Sequence, residues 1–128
     1  MSDEDEVIYK LVGTHEWASA VARGVFAGAG VDLEDGYVHL STRRQVAETA
    51  RRHFAGRDAL TLVAVDTAAL GSALRWEPSR GGDLFPHVYG VLEPAAVVWS
   101  AVLELPAAPD GDAVAMAVRR TLAARDGA

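Results

Sequence analysis

Three runs of β-branched and apolar residues, Val7 to Val12, Leu60 to Val65 and Val97 to Leu105, most restrict how this chain can fold. Each is short, rich in valine and leucine, and closed by a breaker: Gly13, Asp66 or Pro106. Such runs read as strands. Amphipathic segments with helical spacing lie between them. Thr14 offers a cap for a helix from His15 to Arg23, and Gly24 offers its stop. Ser41 or Thr42 opens a second helix. There Thr42 and Gln45 have capping-box spacing, Val46, Ala50 and Phe54 form a buried stripe, and Gly56 marks the end. Strands and helices mix without a regular βαβ rhythm, which points to an α+β fold with a largely antiparallel sheet and flanking helices.

The intervening segments fill in this frame. Tyr37 to Leu40 reads as a short strand with Tyr37 and His39 on one face and Val38 and Leu40 on the other. Asp66 caps a brief helix through Leu70. Leu74 to Glu77 and His87 to Leu92 read as a hairpin, and Glu93 to Ala96 as a turn. Residues 1–6 form an acidic tail expected to be disordered, 7–105 a single domain, and 106–128 a flexible linker with a final helix. Asp112 is expected to cap that helix, which carries Val114, Val118 and Leu122 on one face.

Composition narrows the function classes. With 18 acidic against 12 basic side chains and a net charge of −6, the chain does not suit duplex nucleic acid. It has no cysteine, which removes disulfides, thiolate metal sites and cysteine nucleophiles. No stretch approaches the roughly 20 apolar residues that span a bilayer, and no signal pattern opens the chain, so a cytoplasmic protein is expected. A monomer or a homodimer fits equally.

The chemistry concentrates in Arg75-Trp76-Glu77-Pro78-Ser79-Arg80-Gly81-Gly82-Asp83-Leu84-Phe85-Pro86-His87-Val88-Tyr89-Gly90, where charges, rings and glycines crowd together. Arg80 can pair with an anion, Asp83 flanks the glycines, and Glu77 or His87 can handle protons. The second constellation is His39-Leu40-Ser41-Thr42-Arg43, where a strand runs into a helix start whose free amides suit a phosphate or carboxylate. His15 and His53 read as surface residues. The histidine and carboxylate spacing gives no metal motif, so no metal site is expected. Walker, Rossmann and Gly-x-Ser-x-Gly signatures are absent.

Ile8-Tyr9-Lys10, Gly36 to Thr42, His53-Phe54-Ala55-Gly56 and the 75–90 segment together resemble the bacterial family called domain of unknown function 952, over residues 7–105. The resemblance implies a split sheet similar to the ADP-ribosyltransferase fold, with a cleft for NAD as a possible substrate and no required cofactor. By that likeness His39 takes the early-strand role on the NAD ribose, Tyr89 supplies a stacking ring, and Glu77 or Glu104 supplies the carboxylate. Two other classes remain open: a non-catalytic module that binds a nucleotide or small molecule, and a two-histidine phosphoesterase. For the latter, His39-Leu40-Ser41 fits a His-x-Ser motif, while His87-Val88-Tyr89 has tyrosine at the hydroxyl position.

Overall fold

The computed structural model describes residues 6–126. Six strands and four α-helices follow one another as β1 (Val7–Gly13), α1 (Thr14–Arg23), α2 (Val31–Asp35), β2 (Val38–His39), α3 (Arg43–His53), β3 (Leu60–Asp66), β4 (Leu74–Pro78), β5 (Leu84–Val88), β6 (Val97–Val102) and α4 (Gly111–Asp126). The strands form two antiparallel three-stranded sheets, ordered β1-β3-β6 and β2-β5-β4. The α+β reading with antiparallel sheets therefore holds.

Side-chain alternation along β1 and β3 divides the interior in two. Tyr9, Leu11, Leu62 and Ala64 face α3 and α4, where Val46, Ala50, Val114, Val118 and Leu122 complete one core. Ile8, Val12, Val63 and Val65 face the other way and pack on Val38, Leu40, Val88 and Leu92, forming the second core between the two sheets. A single bridge, with reciprocal backbone bonds between Tyr9 and Ser41, ties the edge of the first sheet to the chain leaving β2.

Several local expectations shift. Thr14 lies inside α1 rather than capping it, and its hydroxyl instead meets the Thr61 hydroxyl at 3.0 Å. The glycine-rich stretch after Gly24 contains α2, a five-residue helix too short to leave a periodic signal. The hairpin's second strand starts at Leu84 and ends at Val88, earlier than expected, because the glycine pair sits in a tight turn with Gly81 at φ 68° and Gly82 at φ 83°. Asp110, not Asp112, caps α4 by accepting the Ala113 N–H at 2.8 Å. In the segment before α4, Pro106 to Ala108 are exposed, while Pro109 is buried and its carbonyl accepts the Gly56 N–H. The expected acidic tail lies outside the described residues except for Glu6, whose carbonyl accepts the Thr67 N–H. Among the described residues no helix is long and apolar enough to cross a membrane.

Candidate functional site

Strand β5 is the centre of the second sheet, and its register sets His87 directly opposite His39 of β2 on one side and Arg75 of β4 on the other. Directly paired residues project to one face, so the three side chains form a row. The two imidazoles meet edge to face with centroids 5.3 Å apart. The Tyr37 ring packs on both, at 4.7 Å from His39 and 4.4 Å from His87, and reaches Tyr89 at 5.0 Å.

Each histidine is oriented by carboxylates. Glu77 Oε1 receives His87 Nδ1 at 2.8 Å and the Tyr89 hydroxyl at 2.8 Å, and these two bonds, the histidine's first, hold the Glu77 carboxyl below its ordinary range. An ionised carboxylate only accepts, so Nδ1 carries the hydrogen and the neutral ring keeps Nε2 as an acceptor. His39 places Nδ1 2.6 Å from Asp32 Oδ1 and Nε2 2.9 Å from Asp35 Oδ2. A ring held this way donates from both nitrogens only when protonated.

Asp32 is the anchor of this side. Its side chain is completely buried, and it also accepts the backbone N–H groups of His39 and Ala29, while Nζ of Lys10 approaches to 2.8 Å. Burial alone pushes this carboxyl up, yet the His39 and Lys10 contacts outweigh it and hold it down at about 2. Lys10, on the inward face of β1, gives a further bond to the His39 carbonyl at 2.9 Å. Its ammonium is lowered by burial, with Asp32 opposing that shift.

A cavity of about 550 Å³ opens where the two sheets meet at the β1 edge. Of the residues singled out from sequence, His39, Ser41, Arg80 and His87 line it. Thr42, Arg43, Glu77, Asp83 and Tyr89 are not among its lining residues. Thr42 serves α3, its N–H bonded to the Gln45 side chain at 2.9 Å, and Arg43 turns away to pair with Asp126. The expected anion position at the α3 start beside Arg43 is thus not where the cavity lies. Glu104, the other candidate carboxylate, is exposed beyond β6 and also lies outside the lining.

The lining adds residues that sequence reasoning missed. His53, read as a surface histidine, contributes to the wall although it remains solvent-exposed, and its ring is lowered by burial and by the nearby Arg80 and Arg52 charges. Thr49, one turn earlier on α3, contacts the Ser41 hydroxyl at 2.9 Å and takes a long 3.4 Å bond from Arg80 Nη1. The Arg80 guanidinium lies over the Phe85 ring, 4.9 Å from its centroid. No carboxylate of the described residues comes within ion-pair distance of it, whereas Arg57 is paired with Glu16 at 3.1 Å. Lys10 inside an apolar strand was the one available signal for the buried charge network, since an unpaired buried ammonium is not tolerated. No cluster suited to a metal ion occurs among the described residues.

Residues 11–100 match the family described as "Protein of unknown function (DUF952)". The chain belongs to the DUF952 family. Solved structures similar to this DUF952 chain include a crystal structure of protein CC0527 from Caulobacter crescentus, 45% identical, covering 81% of this chain and 91% of that one at a TM-score of 0.77. The solution NMR structure of CC0527 is 46% identical, with 80% and 88% covered and a TM-score of 0.70. Among curated proteins none matches.

Proposed function

We propose that the cavity binds a nucleotide-like anionic ligand, with NAD the leading candidate, and that the chain has an ADP-ribosyltransferase-like fold. Two three-stranded sheets with the cavity at their junction support the fold reading. The observation that carries the ligand class is Arg80: a guanidinium at a concave wall, steadied by Phe85 and Thr49 and with no carboxylate of the described residues at ion-pair distance, is a ready phosphate contact. His53 and the hydroxyls of Ser41, Thr49 and Ser79 extend the same wall.

Turnover of NAD would break the bond between ribose C1′ and the nicotinamide nitrogen. Nicotinamide leaves with the bonding electrons, and water or an acceptor hydroxyl attacks C1′ as its proton passes to Nε2 of His87. Glu77 acts in this scheme through His87, holding its tautomer, rather than facing the ribose. The test is titration with NAD, read by thermal unfolding and by nicotinamide release. Saturation at about 100 times Kd stabilises by about 2.7 kcal/mol. Arg80→Gln is expected to abolish the shift, and an unchanged wild-type melting temperature at millimolar NAD and other nucleotides overturns the reading.

The direct opposition of His39 and His87 across β2 and β5 favours a second reading, a two-histidine phosphoesterase in which one ring takes a proton and the other gives one. Hydrolysis of a 2′,3′-cyclic nucleotide that disappears in both His39→Ala and His87→Ala supports it, and no hydrolysis by the wild type removes it.

A further inference from the structure

Lys10 in the lining is engaged by Asp32, which leaves Arg57, Arg80 and the His53 ring as the other basic groups contributed by α3 and the turns beside it. Thr49 and His53 lie one turn apart on α3, and Arg57 follows the turn at Gly56 just past its end; all three line the cavity. Arg80 joins them through Thr49. Arg57 lies near the Phe54 ring, 5.6 Å from its centroid, and reaches Glu16 of α1. Arg80 is held by Thr49 within α3 and Arg57 by Glu16 of α1, so the two guanidiniums occupy separate places in the lining. Glu16 is the sole carboxylate in the lining, and both partners of its pair with Arg57 are about half exposed, at 48% and 47%. Exposed pairs of this kind are weak, so an incoming anion can take the place of Glu16 on Arg57.

Resting on the reading of Arg80 as a phosphate contact, we infer that the cavity selects nucleotides carrying two separate phosphate groups, one held at Arg80 and the second at Arg57 in exchange for Glu16. A single phosphate satisfies only one of the two guanidiniums. A ribose bearing phosphates at two positions, or a dinucleotide with an additional ribose phosphate, satisfies both while its base lies against the apolar side formed by Ala29, Val31 and Val12.

Calorimetric titration of adenosine 5′-monophosphate and adenosine 3′,5′-bisphosphate against the full chain tests this. The bisphosphate is expected to bind roughly ten- to hundredfold more tightly, the range for one added charge-assisted contact. Arg57→Gln should remove that advantage, and Glu16→Gln should enlarge it by freeing Arg57. Both positions are half exposed, and unchanged melting temperatures confirm that the variants fold. Equal affinity for the two ligands overturns the inference, as does an Arg57→Gln effect of the same size on both. If Arg80→Gln leaves both affinities unchanged, or neither ligand binds, the underlying anion reading falls with it, which separates the two failures.

Discussion

Replacing Asp32 with alanine removes in one step the acceptor for Lys10 Nζ, His39 Nδ1 and the His39 and Ala29 amides. Lys10 keeps the His39 carbonyl, and because the residue is only 7% exposed in the wild type, its ammonium loses its paired carboxylate where little water reaches it. Breaking a buried pair this way costs about 3–5 kcal/mol. With a urea slope of about 2 kcal/mol/M for a chain of this size, the unfolding midpoint should fall by about 2 M. Trp17, Trp76 and Trp99 provide the fluorescence signal in a urea titration. The paired replacement Asp32→Leu with Lys10→Met should be less damaging than the sum of its single changes by about 2 kcal/mol, because the stranded charges vanish together. It remains below wild type, since the two backbone amides still lack their acceptor. A midpoint shift under about 0.5 M for Asp32→Ala, with unchanged slope, would refute the account and mean that Lys10 reaches solvent.

Acid should act through the same carboxyl. Its folded value of about 2 lies below the ordinary 3.8, so its contribution is complete above pH ~4 and is lost as the pH falls through about 2. In Asp32→Asn the dependence of stability on pH across that window should be shallower in urea midpoints. Gly111→Ala should destabilise by about 1–3 kcal/mol, because a Cβ there lands 2.4 Å from the Arg51 carbonyl oxygen and forces α4 off α3. Thermal unfolding measures it, and a stabilised variant contradicts the packing. Glu48→Gln should leave the melting temperature unchanged, since its bonds to Arg51 and Arg52 are solvent-exposed despite holding the carboxyl down at about 2.

The strands and amphipathic helices were legible because their residues alternate or recur with the period of the element they form. Val46, Ala50, Val114, Val118 and Leu122 all occupy the core that their spacing implies. The row of His39 and His87 was only half legible. Both residues stood out, but their adjacency depends on a pairing register between segments almost fifty positions apart. Asp32 gave no local signal, for a carboxylate in a glycine-rich stretch ordinarily belongs to solvent, and only the buried Lys10 opposite it makes it structural. His53 is exposed on α3 as its sequence suggests, while its share in the cavity lining with Ser79 and Arg80 depends on segments that meet only in the fold. Thr42 and Arg43 fall outside this cavity because their partners lie elsewhere, the Gln45 side chain for Thr42 and Asp126 for Arg43, and the Asp126 pairing joins positions too distant for any local pattern to show.

Strand β2 contributes just two residues to its ladder, yet it carries one of the two facing imidazoles. Main-chain pairing that brief cannot by itself hold a ring in place, so Asp32 and Lys10 act as a brace where the lattice of amides runs out. The aim of that imidazole is therefore governed by one charged strut and can be loosened without unravelling the surrounding sheet. Deuterium uptake at the Val38 and His39 amides should accelerate well before that of Leu62 and Val63 once the strut is cut.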